Sequence, residues 1–221
     1  KRSGQDVAVV EQVSKSIEGR TILDNINLQI RYGEKVALVG KNGSGKTTLL
    51  QSLQTNDCSN GSIKLGSSVS IGYLSQKGLI ADPKQTVLDI FREKVEMDEG
   101  EARHHLAKFL FYGASVYKKA NDLSGGERTR LRLAQLVYEG LNFLILDEPT
   151  NHLDIDAREA LEAALEEFEG TILSVSHDRY FMNKLFERTI WLEEVKLETY
   201  NGSFDYALEK RTNSRNRLEH Q

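Results

Sequence analysis

The distribution of apolar positions predicts that the first part of the chain is rich in β-strands. Between Val7 and about Tyr73, apolar residues either alternate with polar ones or form short runs. Leu28 and Ile30 alternate with polar neighbours, which is typical of a half-buried strand. Residues 35–39 contain an apolar run of the length expected for a buried strand.

The pattern becomes helical from Pro83 to about Tyr138, where apolar residues recur at the spacing of one helix face. Short apolar strands are then predicted at residues 143–146 and 171–176. Capping-box pairs predict helix starts along the chain: Asp98 with Glu101, Ser124 with Glu127, and Asp156 with Glu159. This order of elements predicts an α/β fold whose core strands are parallel.

Composition limits the classes of protein to which the chain can belong. Its 221 residues with 39% hydrophobic content can build one substantial globular domain. A net charge of −4 gives no global basic field, so any contact with RNA needs a local patch. The single cysteine, Cys58, predicts a reducing, cytoplasmic setting. No apolar run approaches the length of about 20 residues that a membrane span needs.

The strongest chemical signal is the segment from Gly40 to Thr47, which has the pattern G-x-x-x-x-G-K-[ST]. An apolar strand leads into it and a helix leads out, which is the context that phosphate binding requires. We expect Lys46 to hold the β- and γ-phosphates and Thr47 to bind Mg²⁺. The alternative is a glycine-rich turn without a ligand. The predicted phosphate-binding residues are Gly40, Asn42, Gly43, Ser44, Gly45, Lys46, Thr47 and Thr48.

Two further strand ends carry candidate catalytic groups. Asp147 and Glu148 follow the apolar run 143–146, and His177 follows the run 171–176. We expect Asp147 to hold Mg²⁺ and Glu148 to act as the general base, with His177 beside the γ-phosphate. Gln76 is a further candidate for both the metal and the catalytic water. Taken singly, an acidic strand end is often a solvated loop, and a lone histidine is often a surface residue.

The segment Leu123-Ser124-Gly125-Gly126-Glu127 predicts a capped helix start whose bare amides form a second anion site. With this segment added, the chain resembles the ATP-binding cassette (ABC) superfamily. Within it the chain is similar to the ABC-F branch, because of residues 146–154 (LDEPTNHLD), 176–181 (SHDRYF) and 200–206 (YNGSFDY). The resemblance implies a P-loop NTPase cassette with a mostly parallel core sheet, an antiparallel β subdomain and a helical subdomain.

The resemblance also implies a division of the chain and a partner. Residues 1–6 correspond to the end of an interdomain linker, residues 7–207 to the cassette with its helical subdomain at about 83–138, and residues 208–221 to a polar tail. The chain is most similar to a C-terminal cassette, excised at the linker. ATP would bind between this cassette and a second one, in the same long chain or in a homodimer. The residues implied at that interface are Ser124, Gly125, Gly126, Glu127 and Asp154. Ile17 stands where related cassettes carry an aromatic residue that stacks on adenine.

For the whole protein the resemblance implies an ATPase that acts in the cytoplasm on the ribosome, with antibiotic resistance by ribosome protection as one form. A basic stretch near the end, residues 210–217, could meet rRNA phosphates, or could be a solvated helix end. One alternative is the soluble ATPase subunit of a membrane transporter. Another is a module that binds ATP without hydrolysing it. Residues 151–152 and 178–181 argue against the transporter subunit.

Overall fold

A computed structural model describes residues 5–75 and 78–219. Its strands are β1 (Asp6–Ile17), β2 (Arg20–Arg31), β3 (Lys35–Val39), β4 (Asn60–Leu65), β5 (Ile71–Leu74), β6 (Phe143–Asp147), β7 (Thr171–Val175), β8 (Arg188–Glu193) and β9 (Lys196–Tyr200). Its α-helices are α1 (Lys46–Thr55), α2 (Val87–Lys94), α3 (Glu99–Lys108), α4 (Gly125–Tyr138), α5 (Ile155–Glu167), α6 (Arg179–Leu185) and α7 (Phe204–Glu219). Short 3₁₀ turns lie at Gly113–Tyr117 and Ala120–Asp122.

The strands form two sheets. The smaller sheet has the order β2-β1-β4 and is antiparallel. The larger has the order β5-β6-β7-β3-β8-β9, and only its β8–β9 pair is antiparallel. This arrangement confirms the predicted α/β class with a mostly parallel core sheet and an antiparallel β subdomain.

Alternate residues of the larger sheet enter two separate hydrophobic cores. Val36 and Leu38 pack with the antiparallel sheet and α1, whereas Ala37 and Val39 pack with the helices of the 83–138 region and with α5 and α6. The sheet is therefore covered on both faces, which explains why its strands read as continuous apolar runs. The carboxyl ends of β3, β6 and β7 meet at one edge of the sheet, where ligands bind in open α/β folds.

The helix starts agree with the sequence at two positions and differ at a third. Asp98 caps α3 and Ser124 caps α4, and at Ser124 the reciprocal capping box with Glu127 is complete. The prediction that Asp156 and Glu159 cap the next helix was wrong. Helix α5 begins two residues earlier, because Asp154 accepts a hydrogen bond from the Ala157 N–H at 2.8 Å.

The last helix extends beyond the point at which the sequence predicts the tail to begin. Helix α7 runs from Phe204 to Glu219 through the buried Ala207, and Arg211 forms ion pairs with Glu193 and Glu198. The domain boundaries given above remain predictions. Within the described ranges, no helix is both long enough and apolar enough to cross a membrane.

Candidate functional site

The loop between β3 and α1 has the backbone shape that phosphate binding needs. Gly45 is the N-cap of α1 and has a φ of 99°, a left-handed conformation that glycine adopts without steric cost. A Cβ added at this position would lie 2.8 Å from Cγ2 of Ile22. The loop therefore depends on glycine here, and it leaves the first amides of α1 free at the positive end of the helix.

Two buried polar groups of this loop fit a phosphate ligand. The Oγ atom of Ser44 is buried and has no hydrogen-bond partner within residues 5–75 and 78–219. Lys46 is only 8% exposed, and its Nζ donates a hydrogen bond to the carbonyl oxygen of Gly40. Burial lowers the pKa of Lys46, while the carboxylates of Glu148 and Asp147 act to raise it. A phosphate would accept from Ser44 and compensate the desolvated ammonium group.

Strand β6 brings two carboxylates to the same edge of the sheet. It is buried over its whole length, and Asp147, its last residue, is 5% exposed. Glu148 follows with a φ of 51°, a strained conformation for a residue with a side chain, and its N–H donates to the Val175 carbonyl oxygen at 2.8 Å. Burial raises the pKa of both carboxyl groups. Poorly solvated carboxylates at a ligand-binding edge are candidates for catalysis.

His177 contacts Glu148 directly. The Nε2 atom of His177 lies 3.1 Å from Oε1 of Glu148, and the backbone N–H of His177 donates to Oε2 at 3.2 Å. The imidazole is 61% exposed, whereas the carboxylate is 10% exposed. The charge and the N–H of His177 oppose the rise that burial causes in the pKa of Glu148. The two residues therefore form one unit, with the histidine on its solvent side.

Lys46, Asp147, Glu148 and His177 line one cavity of about 500 Å³, called the phosphate cavity below. It is lined by Arg20, Ile22, Asn42, Gly43, Gly45, Lys46, Thr47, Thr48, Asp147, Glu148, Asn151, Val175 and His177. Thr47 and Asp147 are oxygen donors of the kind that Mg²⁺ prefers. In the described part of the chain, no group of three or more His, Cys, Asp or Glu side chains could hold a metal by itself. Gln76, the other predicted metal ligand, lies outside the described residues.

A larger cavity of about 830 Å³ adjoins the phosphate cavity and is called the outer cavity below. Gly40 and Ser44 line this cavity, and its far wall comes from β8, the β8–β9 turn, α6 and α7. Trp191 and Phe204 stack in that wall, with ring centroids 5.8 Å apart. The residues that line both cavities are Arg20, Ile22, Asn42, Gly43 and His177.

The start of α4 lies against the turn that precedes α5, and residues 124–127 line neither cavity. A Cβ added at Gly126 would lie 2.6 Å from the carbonyl oxygen of His152. Glu127 accepts hydrogen bonds from the Nζ of Lys118 at 3.0 Å and from the N–H of Ser124 at 3.2 Å. Burial acts to raise the pKa of Glu127, but these hydrogen bonds and the charge of Lys118 outweigh it and hold that pKa below its ordinary value.

Several predicted site residues are not brought together with the phosphate loop. Residues 124–127, Asp154 and Ile17 line neither cavity. Asp154 caps α5, and Ile17 ends β1 with its side chain 46% exposed.

The structure also brings residues to the site that are not predicted from the sequence. Arg20, Ile22 and Asn151 line the phosphate cavity. The signal for Arg20 was present in the sequence, because Glu18-Gly19 is a short turn that places it opposite Ile17.

Comparisons with known proteins assign this site to a family. The family model described as ABC transporter matches residues 23–151. The Bacillus subtilis protein YdiF is 45% identical over 96% of this chain and 34% of its own length. The ribosome protection protein VmlR of Bacillus subtilis is 39% identical over 83% of this chain and 34% of its own length. ABC transporter F family member 5 of Arabidopsis thaliana is 36% identical over 96% of this chain and 31% of its own length.

A solved structure described as the ATP-binding subunit of an ABC transporter has the same fold, with a TM-score of 0.77 over 90% of each chain at 19% identity. This chain spans about a third of the length of the curated relatives named here. The matched region contains the phosphate loop, the start of α4 and the Asp147–Glu148 pair. The chain therefore belongs to the ABC transporter family, as an ATP-binding cassette of the ABC-F branch.

Proposed function

We propose that this chain is an ATP-hydrolysing cassette of an ABC-F protein that acts on the ribosome. One observation carries the hydrolytic part of the proposal: the carboxylate of Glu148, held by His177, lines the same cavity as the buried ammonium group of Lys46. A phosphate-binding cation and a candidate base in one cavity are what hydrolysis of a phosphoanhydride requires.

ATP is the substrate in this proposal, and the phosphate loop binds its triphosphate. The ammonium group of Lys46 and the first amides of α1 hold the phosphate oxygens, and Ser44 donates from its hydroxyl, which has no partner in the part of the chain that the structure describes. Thr47 and Asp147 would hold Mg²⁺, with Gln76 as the further ligand that the sequence predicts. When bound, the ion neutralises charge on the phosphate oxygens.

In the hydrolytic step, a water oxygen bonds to the γ-phosphorus while the bond between that phosphorus and the β–γ bridging oxygen breaks. Glu148 accepts a proton from the attacking water. His177 keeps the carboxylate oriented through its Nε2 and N–H contacts. Lys46 stabilises the charge on the phosphate groups as they separate. The products are ADP and inorganic phosphate, and the proton passes from Glu148 to solvent.

A second cassette completes each site in this proposal. Support comes from the position of residues 124–127, which line neither cavity although the resemblance assigns them to a nucleotide site. We infer that these residues close over ATP held by the phosphate loop of another cassette, with Asp154 in the segment that crosses the interface. Two copies of this chain, or this chain and a tandem partner, would thus form two composite sites.

The ribosome is proposed as the macromolecular partner because of the relatives. VmlR is named a ribosome protection protein, and the ABC-F motifs at residues 146–154 and 176–181 are present in this chain. A protein that acts on the ribosome works in the cytoplasm. With a net charge of −4, contact with rRNA would come from parts of the whole protein outside this cassette, or from local basic segments such as residues 210–217.

The ATPase proposal is tested by phosphate release in MgATP from the wild-type chain and its Lys46→Ala variant. The variant is expected to lose both ATP binding and hydrolysis, because the buried cation of the site is gone. Lys64→Ala, on an exposed position of β4, is the matched control and should retain both. Hydrolysis that persists in Lys46→Ala would place the activity elsewhere.

The ribosome proposal is tested in the full-length protein that contains this cassette. Its Glu148→Gln variant, loaded with ATP, is sedimented with purified ribosomes and, separately, with membrane vesicles. We expect it to pellet with ribosomes and not with vesicles. Pelleting with vesicles alone would support the ATPase subunit of a transporter instead.

A further inference from the structure

The two cavities meet at the tip of the β1–β2 hairpin. Glu18 and Gly19 form its two-residue turn, with φ values of 50° and 78°. Ile17 and Arg20 are paired across the turn, so their side chains lie on the same face of the sheet. Of these two residues, Arg20 lines both cavities and Ile17 lines neither.

Ile22 packs on the phosphate loop, and Arg20 lies beyond it at the tip of the hairpin. Ile22 packs so closely on the loop that a Cβ at Gly45 would lie 2.8 Å from its Cγ2 atom. Arg20 lies two residues before Ile22 in β2, and the two residues line the same two cavities. Arg20 and Ile22 therefore border the space into which a nucleotide held by the phosphate loop can extend its base.

The guanidinium group of Arg20 is available for a ligand. It is exposed, and the ion pairs found in the described parts of the chain engage other arginines rather than Arg20. A guanidinium group is planar and weakly hydrated, and it stacks on aromatic rings. The exposed aliphatic side chain of Ile17 offers no such plane.

We propose that Arg20, together with Ile22, forms the base subsite of the nucleotide and supplies the stacking surface that an aromatic residue at position 17 would supply. This inference rests on the proposed ATPase function. A stacking plane and an aliphatic contact recognise the face of a base but not its hydrogen-bonding edge. The subsite therefore takes nucleoside triphosphates without reading the edge of the base, and ATP and GTP bind with similar affinity.

Binding is measured by calorimetry in the presence of Mg²⁺, with ATP, GTP and inorganic tripolyphosphate as the probes. Arg20→Ala is expected to weaken ATP binding by about threefold to thirtyfold and to leave tripolyphosphate binding unchanged. Arg31→Ala, on an exposed position at the other end of β2 that lines neither cavity, is the matched control and should change neither affinity. Adding Ile17→Tyr to Arg20→Ala should restore ATP binding, because the ring provides the missing plane.

The subsite proposal is overturned if Arg20→Ala weakens tripolyphosphate as much as ATP, because Arg20 would then be a phosphate contact. It is also overturned if Ile17→Ala weakens ATP more than Arg20→Ala does, or if wild type binds ATP at least a hundredfold more tightly than GTP. The ATPase proposal fails through a different result, namely that wild type binds ATP but releases no phosphate. A wild-type chain that binds neither ATP nor tripolyphosphate would contradict both proposals.

Discussion

The imidazole of His177 lies against the carboxylate of Glu148, with Nε2 3.1 Å from Oε1 and the histidine N–H 3.2 Å from Oε2. These residues follow β7 and β6, which are parallel neighbours, so both strands end at the same edge of the sheet. The left-handed conformation of Glu148 turns its side chain toward this edge. The contact fixes the orientation of the candidate base before any nucleotide binds.

Glu148→Gln should retain ATP binding and reduce phosphate release by about a hundredfold or more, because glutamine cannot accept a proton from water. Single-turnover phosphate release and ATP affinity are the measurements. Glu96→Gln, on an exposed position between α2 and α3 that lines neither cavity, is the control and should behave as wild type. Equal rates for Glu148→Gln and wild type would remove Glu148 from the catalytic role.

His177→Ala should slow phosphate release by about one to two orders of magnitude while leaving ATP affinity within about threefold of wild type. The reason is that His177 orients Glu148, whereas Lys46 and the loop hold the phosphates. The control is His104→Ala, since His104 is exposed on α3. A large loss of ATP affinity, with turnover of bound ATP unchanged, would show that His177 serves binding instead.

Gly126→Ala should destabilise the protein by about 1–3 kcal/mol and lower phosphate release, because its Cβ would lie 2.6 Å from the backbone carbonyl oxygen of His152. Neither backbone segment can yield without moving the start of α4 or the turn before α5. Gly125→Ala is a close control for stability, since its Cβ would meet nothing within 4 Å. Chemical unfolding is measured for both. Equal effects of the two substitutions would contradict this packing argument.

The ion pair of Glu127 with Lys118 should stabilise the fold at neutral pH and not in acid. The folded pKa of Glu127 is lowered, so its contribution is present above the ordinary glutamate pKa of about 4.3 and is lost as the pH falls through the lowered value. The difference in unfolding free energy between wild type and Glu127→Gln should therefore shrink in acid. Urea unfolding at a series of pH values measures it, and a difference that grew in acid would contradict the assigned direction.

The local parts of the site could be predicted from the sequence because the motif, its strand and its helix are contiguous. The phosphate loop between β3 and α1, and Asp147 at the end of β6, are such cases. The contact of His177 with Glu148 could not be predicted, because it depends on which strands are neighbours and on the left-handed turn at Glu148.

Near α5 and β2 the structure differs from the sequence prediction, because at each place two nearby residues could fill the predicted role. Asp154 and Asp156 both have the residue type of a helix cap, and the hydrogen bond of the Leu153 N–H to the Thr150 carbonyl oxygen places Asp154 at the helix start. At the hairpin, resemblance to the family drew attention to Ile17. The sequence places Arg20 across the turn from Ile17, but only the structure shows that Arg20 lines the cavities and Ile17 does not.

The central claim, that a second cassette completes each nucleotide site, is tested most directly by the dependence of phosphate release on chain concentration. The rate per chain is measured at saturating MgATP while the concentration of the wild-type chain is varied over about two orders of magnitude. If the start of α4 from one copy completes the site of another, the rate per chain rises with concentration toward a plateau. A rate per chain that stays constant over the whole range would contradict the account.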